Sequence, residues 1–222
     1  AHRQPIFSRL ASWCDFPPLH MVSPWSDIRK SVPCVTRWQA RSKHEMRYIQ
    51  KALQVPEEKI DIVPLILRNL DSSNHAPMRR ENFCLHVSIL SAAGKNVKRL
   101  VEAAIRFKFN LVLAGNPGDE DFAQWLRSTQ NKHPNIRVLG RISDAQLKEL
   151  YSKAKVFALP SVFEGVGLVA LEAAAHGCEI VLTNRDAPKE YYDGMAHLVD
   201  PTSIDEIGET ILDTLQGKAP YQ

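Results

Sequence analysis

The sequence predicts an α/β fold in which a doubly wound parallel sheet takes up most of the 222 residues. Three observations carry this. From Phe83 onward, short apolar runs of strand type alternate with longer stretches of helical periodicity, the order that builds right-handed crossovers between parallel strands. Apolar runs such as 110–114 are near-continuous rather than alternating, as in a sheet covered on both faces. Glycine-bearing polar loops follow the strands, at 115–118 and 160–167.

Taken in order, residues 1–34 carry prolines at 5, 17, 18, 24 and 33 among aromatics, so the expectation there is a loop-rich, packed segment. Residues 42–53 read as a helix with Met46, Ile49 and Leu53 on one face, stopped at Val55-Pro56. Residues 60–63 alternate as a strand ended by Pro64. The polar, turn-forming stretch 70–80 reads as a linker. Strands follow at 83–90, 110–114, 136–140, 155–159 and 179–183. Helices are predicted over 96–107, 119–130, 144–152, 168–176 and 204–215, with Ser143 and Ser203 as N-caps. The first of these helices places Val97, Leu100, Val101, Ala104 and Ile105 on one side, and the second has acidic residues in its first turn.

Composition narrows the function. A net charge of +3, with lysines and arginines spread along the chain, disfavours nucleic acid as a partner, while the basic pI leaves attraction to anionic lipid headgroups open. Four cysteines without CxxC spacing, two of them (Cys84 and Cys178) in apolar settings, point to free buried thiols and a reducing cytoplasm. No apolar run approaches the roughly 20 residues that span a bilayer. The start lacks both an initiator Met and the apolar core of a signal peptide, and is expected to be that of a fragment.

Chemistry concentrates at 160–177, PSVFEGVGLVALEAAAHG. Strand 155–159 leads into a turn holding Gly165 and Gly167, where backbone can approach a ligand, and then into a helix start whose N–H groups suit a phosphate. Glu164 in the turn and Glu172 one turn into the helix, seven residues between them, add two hydroxyl acceptors. The arrangement suits a phosphorylated, hydroxyl-rich ligand. The plainer alternative is a crossover with a solvated Glu164 and a surface Glu172. Ligands of such sheets bind beyond the carboxyl ends of the strands, where the loops 88–95, 115–118, 140–143, 160–167 and 184–188 converge. His86, His176 and His197 have no companions at metal spacing, and no Asp-x-Asp motif points to a divalent ion at a donor phosphate.

The order Pro160-Ser161, Glu164-Gly165-Val166-Gly167, Leu171-Glu172-Ala173 and Gly177 resembles the signature of retaining, nucleotide-sugar-dependent glycosyltransferases of the GT-B fold, the glycosyl transferases group 1 type. The likeness continues through 136–141, Ser143-Asp144, Leu150-Tyr151, 179–184, 188–190 and 198–201, and covers roughly residues 80–216. The stretch 55–64 resembles the end of the family's N-terminal domain. The resemblance therefore implies a Rossmann-like, nucleotide-sugar-binding domain over 78–222, preceded over 1–77 by the tail of an incomplete N-terminal domain plus linker.

What it implies for the site follows residue by residue. Glu172 would accept hydroxyls of the nucleotide ribose, and Glu164 would contact the donor sugar. Val166, Gly167 and Leu168, with Gly165, would offer backbone to the diphosphate or sugar. Lys95 would neutralise the leaving diphosphate, Asn116 would touch phosphate, and the turn at Gly140, Arg141 and Ile142 would meet the base. Ser88-Ile89 departs from the family's usual Gly-Arg pair in a loop that reads one residue longer, leaving Arg141 or Arg185 to compensate. The implied donor is a UDP- or GDP-sugar without a metal cofactor, and the acceptor a glycan or lipid-linked sugar. The implied location is the cytoplasm, at the inner face of the membrane. Acceptor-side groups would come from the missing domain, so the isolated chain is expected to turn over poorly. A GT-B epimerase or phosphorylase, and a non-catalytic nucleotide-binding module, are the alternatives.

Overall fold

The computed structural model describes residues 24–65 and 80–218, which belong to two compact units, 1–65 and 66–222. In the first, α1 (Pro24–Ser31) and a single 3-10 turn (Val32–Cys34) occupy a stretch whose prolines had suggested irregular chain. The correction has a simple cause. Pro24 stands at the first helical position, where a missing N–H costs nothing. The earlier residues, 1–23, lie outside the described residues. Next come β1 (Trp38–Ala40), α2 (Lys43–Leu53) and β2 (Ile60–Ile62), with β1 and β2 paired in parallel. Ser42 caps α2 by accepting from the Glu45 N–H at 3.0 Å, and Gln54 ends the helix in a left-handed conformation. Ile49 and Leu53 bury against Ala40, Val55 and Ile60.

Residues 70–79, the body of the expected linker, also lie outside the described residues. Arg80 does not behave as linker. Its guanidinium donates to the carbonyls of Tyr151 (2.8 Å), Ala154 (3.1 Å) and His176, fastening the entry of the second unit.

The second unit alternates β3 (Glu81–Val87), α3 (Val97–Phe107), β4 (Leu111–Ala114), α4 (Glu120–Lys132), β5 (Ile136–Gly140), α5 (Asp144–Lys153), β6 (Ala154–Leu159), α6 (Leu168–Ala175), β7 (Glu179–Thr183), α7 (Asp186–Tyr192), β8 (His197–Val199) and α8 (Ile204–Gln216). All six strands pair in parallel in the order β5-β4-β3-β6-β7-β8. The doubly wound α/β prediction holds. Two elements had gone unassigned: α7, which replaces a presumed loop at 184–188, and the edge strand β8.

Side chains alternate across this sheet. Cys84, Leu111, Leu113, Val156, Ala158 and Val181 face a layer made by α3, α4 and α8, and Leu85, Val112, Phe157, Leu159, Ile180 and Leu182 face α5, α6 and α7. Leu100, Val101 and Ala104 of α3 are buried as their spacing requires. Ser143 and Gln146 form a capping box on α5, and Ser203 caps α8 by accepting from Glu206 N–H at 3.1 Å. Among the described residues no helix is long and apolar enough to cross a membrane.

The loops that leave the upper ends of β3 and β4 touch directly. Gly115 adopts φ +136°, and a Cβ there would lie 1.7 Å from the Ser88 carbonyl oxygen. A Cβ at Gly165 would meet nothing within 4 Å. Gly115→Ala is therefore predicted to cost about 3 kcal/mol or more of stability, and Gly165→Ala about 0.5 kcal/mol or less. Urea denaturation followed by circular dichroism measures both; equal midpoints for the two variants would contradict the close approach.

Candidate functional site

The strand order reverses between β3 and β6, which places a crevice where their upper loops diverge. The two strands pair as far as Leu85 and Phe157, with one shift of register between Glu81 and Cys84. Beyond that pair a side chain takes over. His86 is fully buried, with Nδ1 2.8 Å from the Ala158 carbonyl and Nε2 2.8 Å from the Ser88 hydroxyl. A carbonyl can only accept, so Nδ1 carries the proton, and Nε2 of the neutral ring accepts from Ser88. Burial pulls the imidazole down to about 4.

Further hydrogen bonds knit the loops together. Leu90 N–H donates to Asn116 O at 2.8 Å, and Val162 N–H to Gly94 O at 2.8 Å. Asn96, buried and in a left-handed conformation at the α3 N-cap, donates through Nδ2 to Pro160 O (2.9 Å) and Pro201 O (2.6 Å). Its neighbour Lys95 closes a 3-10 turn, rather than opening the helix, and is held over the crevice. Lys95 Nζ lies 2.7 Å from Glu164 Oε2, with the carboxylate side chain 9% exposed. Glu164 also accepts from the Ser161 hydroxyl (3.0 Å) and from Gly165 N–H (3.2 Å). One predicted group from the β3 loop thus meets another from the β6 loop across the switch point.

The predicted helix start is present. Gly167 caps α6 at φ +73°, a conformation that glycine reaches without strain, and brings no side-chain acceptor to the first-turn N–H groups. Its carbonyl accepts from the Tyr192 hydroxyl at 3.0 Å. Val166 is buried, Leu168 exposed. Glu172 is half-buried one turn further on and accepts from the Tyr151 hydroxyl at 3.3 Å. Tyr151 and Tyr192 belong to the same apolar layer under α6, and burial raises both hydroxyls well above their ordinary range.

Other predicted residues come from the loops after β4, β5 and β7. Asn116 turns its Oδ1 back to Gly118 N–H (3.2 Å). Arg141 and Ile142 line a groove of about 660 Å3 that runs beside α5 along β3, β4 and β5, and neither Lys95 nor Glu164 lines it. Arg185 pairs with Asp200 at 3.1 Å, and Thr202 holds that carboxyl below its usual range. Cys84 and Cys178 are free and buried, as expected, and burial pushes the Cys178 thiol up to about 12; Cys14 lies outside the described residues. Asp119-Glu120-Asp121 spells Asp-x-Asp, but Asp119 is the N-cap of α4, accepting from Phe122 N–H at 2.8 Å. Among the described residues no cluster of three or more His, Cys, Asp or Glu could hold a metal.

Sequence reasoning did not find Ser161, Tyr151, Tyr192, Arg80 or a role for His86. Leu150-Tyr151 and Pro160-Ser161 were legible as family wording, but their partners lie 21 and 3 residues away and only folding reveals the first of these.

Comparison with known proteins now bears on the site. The family described as Glycosyl transferases group 1 matches residues 68–222, the whole of the stretch that builds the crevice. The chain belongs to this family. O-antigen chain mannosyltransferase B of Escherichia coli is 32% identical over 143 residues, covering 61% of the chain and 37% of that protein. MMP alpha-(1->4)-mannosyltransferase of Mycolicibacterium hassiacum is 41% identical over 75 residues, 32% of the chain and 18% of that protein. Among solved structures, S. aureus TarM superposes with TM-score 0.72 at 15% identity, covering 87% of the chain and 39% of TarM. Anabaena Alr3699/HepE in complex with UDP and glucose superposes with TM-score 0.68 at 18% identity, covering 84% and 56%. These superpositions establish a glycosyltransferase GT-B fold. The chain spans between about a fifth and a little over half of each of these relatives. Ile89, where the resemblance led to the expectation of an arginine, is 59% exposed.

The neutral His86 has a consequence for pH. Its folded pKa of about 4 lies below the ordinary 6.5, so the unfolded chain binds the proton first. Its contribution is complete above about pH 6.5 and is lost as pH falls toward 4. Between pH 6.5 and 4.5 the native chain is expected to lose roughly 2–3 kcal/mol through this residue. His86→Asn, which can still donate to Ala158, should lose that much less over the same interval. Parallel urea titrations of the two proteins check this, and identical pH slopes would refute it.

Proposed function

We propose that this chain carries the donor-binding half of a glycosyltransferase that takes a hexosyl group from a UDP- or GDP-sugar. The acceptor is a glycan or lipid-linked sugar, and the transfer retains the configuration of the anomeric carbon. The observation that carries this proposal is the Lys95–Glu164 pair across the switch point, beside a glycine-capped helix start. Two relatives named as mannosyltransferases and a like-folded structure holding UDP and glucose support the substrate class.

The chemistry follows from charge. When the bond between the anomeric carbon and the diphosphate breaks, negative charge gathers on the diphosphate. Lys95 and the N–H groups at the start of α6 meet that charge without a metal. Glu164, displaced in part from Lys95, accepts hydroxyls of the sugar and orients it, while Glu172 accepts those of the ribose. Such a reaction draws on cytoplasmic nucleotide sugars, at the inner membrane face where the acceptor is lipid-linked. The exposed Ile89 in place of a basic residue favours, as a second reading, a module that binds nucleotide without transfer.

A thermal-shift panel of UDP-, GDP- and ADP-sugars tests the proposal, because a ligand bound only by the folded chain raises its melting temperature with concentration. One of the first two is expected to give the largest shift. Lys95→Ala should weaken that donor about 10- to 100-fold, the worth of one charge-assisted hydrogen bond. Glu164→Gln frees the Lys95 charge and should bind the free nucleoside diphosphate at least as tightly as the wild type. No shift with any nucleotide sugar would reject the proposal, and binding with no transfer by the full-length protein would favour the second reading.

A further inference from the structure

Tyr151 stands out as a residue whose position exceeds what packing requires. The residue is only 2% exposed, and its ring sits edge-on to Phe157 with ring centroids 6.0 Å apart and beside His176 at 5.5 Å. Its backbone is held as firmly. The Tyr151 carbonyl accepts from Arg80 Nη1 at 2.8 Å and from the Cys178 thiol at 3.1 Å. The same Arg80 reaches the His176 carbonyl at the far end of α6, so one guanidinium ties the end of α5 to the end of α6. A ring fixed on every side delivers its hydroxyl to one place, and that place is Glu172 Oε2, 3.3 Å away.

We propose that Tyr151 is a positioning residue that sets the rotation of the Glu172 carboxylate for recognition of the two ribose hydroxyls of the donor nucleotide. The inference rests on the assignment of Glu172 to the ribose. A glutamate has three rotatable side-chain bonds, and leaving them free would cost affinity when a ligand froze them. The Tyr151 hydroxyl removes that freedom beforehand. Burial keeps the phenol protonated, so it donates to the carboxylate and does not compete with it. One lone pair of Oε2 is used, which leaves Oε1 and the outer side of Oε2 to accept from vicinal hydroxyls.

Isothermal titration of the 222-residue chain with UDP, GDP and their 2′,3′-dideoxy counterparts tests this, using wild type, Tyr151→Phe, Glu172→Gln and the double variant. Wild type should prefer the ribonucleotide over the dideoxy compound by about tenfold or more. Tyr151→Phe should lose on the order of fivefold in affinity for the ribonucleotide and nothing for the dideoxy compound. In the Glu172→Gln background the second substitution should change neither. Equal weakening of both nucleotides by Tyr151→Phe would mean a purely structural role, and no weakening at all would mean no role; either overturns the proposal. A ribose preference that survives Glu172→Gln locates the failure in the assignment of Glu172, and absence of UDP and GDP binding to wild type locates it in the nucleotide reading. Both outcomes remove the Tyr151 role as well. Thermal melts of the four proteins within about 3 °C of one another establish that folding is not the variable.

Discussion

The parting of β3 from β6 is the constraint on which the site depends. Parallel strands joined by crossovers on opposite sides of a sheet must send their upper loops apart somewhere, and here they separate after Leu85 and Phe157. A gap of this kind exposes backbone carbonyls with no strand to satisfy them. His86 answers the Ala158 carbonyl with a side-chain N–H and reaches Ser88 with its other nitrogen. The buried ring must stay neutral to do so, because an imidazolium shut away from water and facing nearby Lys95 would be costly. The crevice therefore has a solid floor, and the loops above it start from fixed points.

Over that floor the electrostatics are balanced rather than strongly positive. Lys95 is the cation that the β3 loop supplies, and Glu164 cancels it at 2.7 Å. Two opposite charges at about 4 Å attract by about 4 kcal/mol at an effective dielectric of 20, whereas a helix N-terminus offers an anion about 0.3–1 kcal/mol at an exposed site. The helix alone is thus the weaker attraction. On the function proposed above, a diphosphate that draws Lys95 away must replace its attraction to Glu164, and in doing so it frees an acceptor for hydroxyls. Of the two arginines expected to compensate at Ser88-Ile89, Arg185 is engaged by Asp200 and Arg141 lines the groove beside α5.

Much of this was legible in the sequence, for physical reasons that also explain the rest. The long elements announced themselves through burial at helical spacing, as in Leu100, Val101 and Ala104, and through side-chain caps at Ser143 and Ser203. Glu164 and the Gly165–Leu168 turn directly follow a strand and showed locally, whereas Lys95 was singled out through the family resemblance and its contact with Glu164 appears only on folding. Three-residue strands such as Trp38–Ala40 and His197–Val199 carry too few residues for a period to show, and exist through pairing with distant partners. Pro24 counts as a breaker by composition and as a helix starter by position. Arg80 and Tyr151 act through contacts 71 and 21 residues away, distances no spacing rule can express.

Glu172 shows how far the position of one side chain can depend on residues outside its own helix. α6 has eight residues, well below the roughly 12–15 at which an isolated helix becomes even marginal in water, so its own propensity cannot hold Glu172 in place. Its upper end is fixed where the Tyr192 hydroxyl donates to the Gly167 carbonyl, and its lower end where Arg80 takes the carbonyl of His176. Between them Ala170 and Ala173 are fully buried, and their small size lets the helix lie close against the sheet. Glu172, next to Ala173, is thereby kept at one height above the strands. The wording around Leu171-Glu172-Ala173 is then in part a packing requirement: the alanines set the depth of the helix, and the depth sets where the carboxylate stands.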